Sequence, residues 1–268
     1  MPEPTVLTPT DLVVDRSDPA IAIVTINRAA RRNAMTLAMW RELGRLFGVL
    51  SADEDVRAIV LTGAGGAFCA GADISEFPAV RGTIEDARAY EAAVDAMYGA
   101  IAACIKPTIA AVSGPCFGGG VALALSCDFR VADATSYFAI PAARLSNVYG
   151  VVETQALFDA VGLAVSKEVL FTGRRYDARE AHANGMATHF ASAGSALEAA
   201  CDLARNMRGS APLTIKGAKV VLDAIARNTT EARAPDIHHV MDEAIASEDY
   251  KEGVAAFAAR RDPVFKGR

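Results

Sequence analysis

The stretch SGPCFGGGVALALSCD, residues 113–128, decides how this chain folds. The residues just before it, Thr108–Val112, are small or β-branched and apolar, and those after its glycine run are good helix formers. The pattern predicts a strand, a tight turn and a buried helix. Three consecutive glycines permit positive φ values and close approach to bare backbone. The first N–H groups of the helix lack partners and suit an oxygen that develops negative charge, which is half of an oxyanion hole.

A second glycine-rich loop, GAGGAFCAGADI at residues 63–74, also follows a strand-like segment, Ala58–Thr62. Taken alone, either loop is equally well explained as a strand-to-helix turn whose glycines serve only geometry.

Together the loops resemble those of the crotonase (enoyl-CoA hydratase/isomerase) superfamily, and shorter matches extend the resemblance over nearly the whole chain. These are TINR at residues 25–28, NAM at 33–35, EDYKEG at 248–253 and FK at 265–266. The resemblance implies an α/β fold: a crotonase-like spiral of β-β-α units with a C-terminal helical oligomerisation region. It implies an acyl-CoA-binding spiral core at residues 1–205, an oligomerisation region at 206–268, and a homotrimer or a hexamer built as a dimer of trimers.

The resemblance also implies roles for individual residues. The N–H groups of Ala70 and Gly119 are expected to polarise a thioester carbonyl, while Asp73 braces the first glycine loop. Phe257 and Arg260 match positions that reach the coenzyme A of a neighbouring subunit. The residues expected to bind substrate are Arg31, Arg32, Ala34, Ala72, Asp73, Ile74, Gly118, Ala122, Pro141, Ala142, Gly150, Phe257 and Arg260. Without the resemblance, a solvated charge cluster is the better explanation of Arg31 and Arg32.

The sequence departs from the family pattern at two positions. Hydratases of the family carry one glutamate three residues beyond the oxyanion glycine and another directly after the proline of the next loop. Here those positions hold Ala122 and Ala142. Because each positioned acid or base contributes about 10²- to 10⁴-fold to a rate, the standard route of water addition is disfavoured.

Tyr149 and Glu153 are the candidate replacements, since they lie after Pro141 in a region where relatives of other specificity place their acid or base. The pair would suffice for isomerisation, decarboxylation, thioester hydrolysis or weak hydration. The alternative is that Glu153 only stabilises a helix N-terminus and Tyr149 only walls the pocket. A non-catalytic acyl-CoA-binding protein on the same fold therefore stays open.

Composition excludes several other classes. The net charge of −5, with Lys and Arg spread along the 268 residues, argues against a nucleic-acid partner. No stretch predicts a membrane span or a signal peptide, so we expect a cytoplasmic protein. The five cysteines show no metal spacing, and we expect no metal and no cofactor beyond the coenzyme A of the substrate. Neither glycine loop fits a dinucleotide or phosphate-loop pattern, and no serine stands at the start of the central helix.

Sequence patterns, chiefly hydrophobic periodicity, predict further secondary-structure elements. Leu12–Asp15 and Ile21–Asn27 predict a hairpin. Asn33 is predicted to cap a helix beginning at Ala34, and residues 235–261 are predicted to form one helix. Phe77, Val80 and Tyr90, which follow the first glycine loop, are the candidates to cover an acyl chain, as in the family.

Overall fold

The computed structural model describes residues 11–268, so the predicted core segment 1–205 is described from residue 11 onward. The strands are β1 (Leu12–Asp18), β2 (Ile21–Ile26), β3 (Ala58–Gly63), β4 (Thr108–Val112), β5 (Pro115–Phe117), β6 (Phe129–Asp133), β7 (Tyr137–Ala139), β8 (Tyr176–Asp177) and β9 (His189–Ala191). The helices are α1 (Leu37–Ala52), α2 (Phe77–Val80), α3 (Ile84–Ala102), α4 (Gly119–Leu125), α5 (Val151–Thr172, interrupted at Gly162), α6 (Ala178–Ala183), α7 (Ala196–Met207), α8 (Pro212–Ala226), α9 (Ala234–Ala246) and α10 (Glu248–Ala259).

The strands form two sheets. The larger has the order β1-β2-β3-β4-β6-β9, in which only the β1–β2 hairpin is antiparallel. The smaller sheet has the order β5-β7-β8. Its first strand, β5, lies within residues 113–128, between β4 and α4. Parallel neighbours leave their carboxyl ends on one edge, so the loops after β3 and β4 emerge side by side.

Alternate residues of the central strands enter two different cores. Ile59 and Leu61 of β3 pack into the larger core with α1, α3 and α4, whereas Val60 packs on the opposite face against Ala200 and Ala204 of α7. The two-residue period of a strand imposes this division. The large sheet is therefore covered by helices on both faces, as expected for parallel strands.

The predicted fold class is confirmed: the chain is α/β and ends in helices, α8 to α10. The division at residue 205 stays a prediction. The single helix predicted for 235–261 is wrong, because Ser247 has extended backbone and its side chain caps a new helix by accepting from the N–H of Tyr250. Within residues 11–268, no helix combines the length and apolar character that a membrane crossing requires.

The prediction that Asn33 caps α1 is also wrong. Thr36 is the N-cap and accepts from the N–H of Met39. Asn33 is fully buried, and its side-chain amide donates to the carbonyls of Ala64 and Ala67 at 2.9 and 2.6 Å. It therefore fixes the first glycine loop rather than a helix end.

Candidate functional site

The two glycine loops are hydrogen-bonded to each other. The N–H of Cys69 donates to the carbonyl of Pro115 at 3.1 Å, and the N–H of Phe117 donates to the carbonyl of Cys69 at 2.9 Å. These bonds form a parallel bridge between Cys69 and Cys116, which are both fully buried free thiols. Burial raises the pKa of the Cys69 thiol to about 12, so it is not a nucleophile near neutral pH.

Two glycines make this approach possible. A Cβ on Gly120 would lie 2.3 Å from the carbonyl oxygen of Cys69, which is closer than non-bonded atoms can approach. Gly71 has a φ of +90°, and a Cβ there would lie 2.8 Å from the carbonyl oxygen of Phe117 and 3.1 Å from the nitrogen of Gly119. The first loop thus passes directly over the N-terminus of α4.

The direction of the Ala70 amide contradicts the prediction that it polarises a substrate carbonyl. Its N–H donates to the carbonyl of Arg32 at 3.0 Å and is not available to a ligand in this structure. The sequence motif located the loop correctly but not the residue whose amide is exposed.

The amide two residues later has a different environment. The N–H of Met35 donates to the carbonyl of Gly71 and the N–H of Asp73 donates to the carbonyl of Met35, both at 2.8 Å, so the N–H of Ala72 between them faces the other way. Among residues 11–268, neither Ala72 nor Gly119, the first residue of α4, donates its N–H to an acceptor. Since a Cβ on Gly71 would lie 3.1 Å from the Gly119 nitrogen, standard bond lengths place the two free amide nitrogens no more than about 7 Å apart.

Asp73 lies in a hydrogen-bonded position beside these amides. It accepts from the hydroxyl of Ser75 at 2.6 Å and from the guanidinium of Arg28 at 3.1 Å. Although burial opposes ionisation, these hydrogen bonds hold the pKa of Asp73 below its ordinary value. Its oxygens are therefore occupied in holding the loop, as the sequence predicted for this residue.

Tyr98 is part of the site and was not predicted from the sequence. Its hydroxyl donates to the carbonyl of Gly119 at 3.0 Å, and its ring meets that of Trp40 edge-on with centroids 5.9 Å apart. The Trp40 indole N–H in turn donates to the hydroxyl of Tyr90. This buried network anchors the first turn of α4 through the Gly119 carbonyl, and nothing in the helical period of residues 84–102 distinguishes Tyr98 from an ordinary core residue.

Tyr149 and Glu153 lie on the other side of the site, at the start of α5. The Tyr149 hydroxyl lies 3.5 Å from the point that a Cβ on Gly118 would occupy, which places it beside the Gly119 amide. Burial raises the pKa of this phenol, and the charge of Glu153 raises it further. Burial raises the pKa of Tyr98, and the charges of Tyr149 and Glu153 raise it further. Tyr98, Tyr149 and Glu153 therefore share one electrostatic environment.

The Glu153 carboxyl is incompletely satisfied. Its Oε2 atom is buried and has no hydrogen-bond partner among the described residues. Burial raises the pKa of Glu153, and the charges of Asp95 and Glu91 raise it further. A carboxyl held away from water with a raised pKa is suited to exchanging a proton with a bound molecule.

The remaining predicted residues fall into two groups. Ala122 and Ala142 are buried in the larger core, and Gly118, Pro141 and Gly150 are half-buried around Tyr149. By contrast, the side chains of Arg31, Arg32, Ile74, Phe257 and Arg260 are exposed, and Ala34 is half-buried. Phe257 is 88% exposed, so it does not pack against the glycine loops within one chain.

Residues 11–268 contain no group of three or more His, Cys, Asp or Glu side chains arranged to hold a metal ion. The polar groups described above for the candidate site include the Ala72 and Gly119 amides, the Tyr149 hydroxyl and the Glu153 carboxyl.

Comparison with known proteins gives consistent matches. The family model described as Enoyl-CoA hydratase/isomerase matches residues 16–268. A curated protein of Arabidopsis thaliana, "Probable enoyl-CoA hydratase 2, mitochondrial", is 34% identical over 255 residues, covering 94% of this chain and 83% of that protein. The 2,3-dehydroadipyl-CoA hydratase of Escherichia coli is 31% identical over 260 residues, covering 96% and 99%. A solved enoyl-CoA hydratase/carnithine racemase from Magnetospirillum magneticum superposes with a TM-score of 0.88 at 35% identity, covering 96% of each chain.

Proposed function

Because the chain belongs to the enoyl-CoA hydratase/isomerase family, we propose that it is an enzyme that converts acyl-CoA thioesters by way of a thioester enolate. The observation that carries this proposal is the pair of free amides on Ala72 and Gly119, held by two loops that are bonded to each other. Two free backbone N–H groups can donate to the oxygen of an enolate, and each such donor is commonly worth about 10²- to 10³-fold in rate. The oxyanion hole is thus assigned to Ala72 and Gly119 rather than to Ala70 and Gly119.

Glu153 is proposed as the group that moves the proton, and double-bond isomerisation is the reaction that one such carboxyl serves best. The carboxylate removes a proton from C2 of a 3-enoyl thioester, and the C–H electrons pass through the thioester carbonyl to give a dienolate bound by the two amides. The protonated carboxyl then returns the proton at C4, which leaves the double bond between C2 and C3. The raised pKa of Glu153 supports this cycle because the acid must hold the proton between the two steps.

Tyr149 is proposed to assist by donating a hydrogen bond in the region between Glu153 and Gly118. Burial raises the pKa of Tyr149, so its hydroxyl keeps its proton and can donate a hydrogen bond. Hydration, for which several relatives are named, would require a second group to handle water. At Ala122 and Ala142, where the family pattern leads us to expect glutamates, the side chains carry no ionisable atom.

The second candidate is a non-catalytic acyl-CoA-binding protein. The observation in its favour is that Ala122 and Ala142 are buried and carry no ionisable group. It differs from the enzyme in one measurable respect, because it binds thioesters without converting them.

The test is an assay of the purified protein with matched 3-enoyl-CoA and 2-enoyl-CoA substrates, combined with a binding titration. The proposal predicts interconversion of the two double-bond isomers at a rate well above that of 3-hydroxyacyl-CoA formation. Hydration at comparable or greater speed would contradict the isomerase assignment but support an enzyme. Tight binding with no conversion of either thioester would support the binding protein.

We further propose that the protein assembles as a homotrimer or a hexamer, with Arg31, Arg32, Phe257 and Arg260 gripping coenzyme A across subunits. Support comes from the C-terminal helices, which expose several large apolar side chains: Leu222, Ile225, Met241, Ile245, Val254 and Phe257. Light scattering on the eluting protein would show three or six chains, and a stable monomer would contradict the proposal. A location in the cytoplasm stays a prediction.

A further inference from the structure

Two adjacent non-glycine residues beside the first glycine loop have left-handed backbone. Arg32 has φ 49° and ψ 37° at the end of the single helical turn Ala29–Arg31, and Asn33 has φ 58°. Of the non-glycine residues between 11 and 268 that have positive φ, only these two are neighbours in the sequence. This conformation is less costly for asparagine than for arginine, and glycine is the usual residue at such a helix end. The left-handed conformation of Arg32 therefore requires an explanation.

Arg32 and Asn33 are held by different kinds of contact. The side chain of Asn33 is buried, and its oxygen accepts from the N–H of Arg28 at 2.9 Å. The side chain of Arg32, by contrast, is exposed. The hydrogen bonds that hold Arg32 come from its main chain: its N–H donates to the carbonyl of Ala29 at 2.9 Å, and its carbonyl accepts from the N–H of Ala70 at 3.0 Å. The left-handed conformation thus directs the Arg32 carbonyl at the first glycine loop.

The bond between Arg32 and Ala70 bears on which amide of the loop is free. Gly71 has a φ of +90°, and on either side of it the N–H of Ala70 faces the Arg32 carbonyl while the N–H of Ala72 faces away. With right-handed or extended backbone at Arg32, this carbonyl would point elsewhere, and the half-buried Ala70 N–H would lose its acceptor. The loop could then turn the Ala70 amide toward the site in place of the Ala72 amide.

We propose that Arg32 is a positioning residue for the oxyanion hole: its left-handed backbone holds the Ala70 N–H, so that Ala72 is the residue of this loop that presents its amide to the thioester. The inference rests on the proposed function and adds a residue that acts through its main chain. The exposed side chain of Arg32 has a separate proposed role, contact with coenzyme A. Mutation can therefore separate the effect of the backbone from that of the side chain.

The test compares two substitutions of Arg32. Arg32→Gly and Arg32→Val both remove the guanidinium, but only glycine adopts positive φ without strain, whereas a β-branched residue is strongly disfavoured there. In the isomerisation assay, Arg32→Gly should raise KM and keep kcat within about threefold of the wild-type value. Arg32→Val should lower kcat by about 10²-fold, which is the effect of a displaced oxyanion donor.

Asn228→Val is the matched control for backbone strain, because Asn228 is exposed, has φ 53° and lies just after α8. It should leave kcat unchanged. A second readout needs no turnover: the infrared stretch of an isotope-labelled thioester carbonyl in bound hexanoyl-CoA. Hydrogen bonds from the oxyanion hole lower this frequency, so the lowering should persist in Arg32→Gly and be reduced in Arg32→Val.

Equal kcat values and equal carbonyl frequencies in Arg32→Gly and Arg32→Val would overturn the inference and leave the proposed function intact. A comparable fall in kcat in Asn228→Val would assign the effect to strain in general and would also overturn it. If the wild-type protein bound hexanoyl-CoA without lowering the carbonyl frequency and converted no thioester, the proposed function would fail and the inference with it.

Discussion

The two sides of the candidate site are held in different ways. On the glycine side, the positions of Ala72 and Gly119 are set by main-chain hydrogen bonds between loops and by glycines that tolerate no Cβ. On the α5 side, the groups are side chains, and Glu153 retains a buried oxygen without a partner. The first side is therefore positioned by the main chain, whereas the second depends on side chains, one of which has an unpaired buried oxygen.

This difference separates what the fold provides from what the individual sequence provides. Backbone amides can stabilise an enolate whichever side chains surround them, so this half of the site is compatible with many reactions. The reaction is decided by the side chains that deliver protons. The groups proposed for this step are Tyr149 and Glu153, since the side chains of Ala122 and Ala142 carry no ionisable atom.

The largest predicted effect is a loss of activity on changing a side chain on the α5 side of the site. Glu153→Gln should lower kcat/KM for isomerisation by about 10²- to 10⁴-fold, since it removes the proton carrier while keeping the shape. Affinity for a saturated acyl-CoA should stay within a few-fold. Asp159→Asn is the matched control, because Asp159 is an exposed carboxylate farther along the same helix, and it should leave activity unchanged. Full activity of Glu153→Gln would remove Glu153 from the mechanism.

The next largest predicted effect is a loss of stability and of acyl-CoA binding on changing a glycine on the glycine-loop side of the site. Gly120→Ala should lower the free energy of unfolding by roughly 3 kcal/mol and weaken acyl-CoA binding, because the new Cβ would force the two loops apart. Gly48→Ala in α1, where nothing lies within 4 Å of the added atom, should instead stabilise by about 0.5–1 kcal/mol. Urea denaturation compares the two, and equal stability of both variants would refute the close approach of the loops.

A smaller effect should follow from Tyr98→Phe. Loss of the hydroxyl that donates to the Gly119 carbonyl should cost about 1 kcal/mol in unfolding free energy and reduce turnover, because the first turn of α4, where the Gly119 N–H lies, loses a buried anchor. Tyr250→Phe on the surface of α10 should change neither property. If turnover by Tyr98→Phe equalled that of the wild type, the orienting role would be ruled out.

The smallest effect concerns pH and stability. Because the pKa of Glu153 is raised in the folded state, the folded protein holds this proton more tightly than the unfolded chain does. The contribution of Glu153 to the free energy of unfolding is therefore greatest at acidic pH. It falls as the pH rises from the pKa of Glu153 in the unfolded chain through its pKa in the folded protein. The stability of Glu153→Gln relative to the wild type should rise as the pH increases from 4 to 7. A constant difference would show that folding leaves the pKa of Glu153 unchanged, and a falling one that folding lowers it; either would contradict the prediction.

The sequence predicted the sheet, the hairpin and the buried helix after the glycine run, because these follow from local periodicity and from glycines at strand ends. It failed at Asn33, where two good capping residues stand three positions apart and only the distant carbonyls of Ala64 and Ala67 decide between them. It also missed the break at Ser247, since the residues on both sides are good helix formers.

The candidate site was also predicted only in part, because its details depend on contacts between residues that are distant in the sequence. Motif spacing located both loops, but not which amide of the first one is free. That depends on the carbonyl of Arg32, which lies 38 positions earlier and takes the Ala70 N–H. The contact of Tyr98 with Gly119 is tertiary, and no local sequence pattern predicts it.

The most direct measurement is a crystal structure of the protein with a bound saturated acyl-CoA. The account predicts the thioester oxygen within about 2.7–3.1 Å of the nitrogens of both Ala72 and Gly119. The Ala70 N–H should remain on the carbonyl of Arg32, and the α-carbon should face Glu153. A thioester oxygen bound to the Ala70 amide, or one distant from the Ala72 and Gly119 amides, would contradict it.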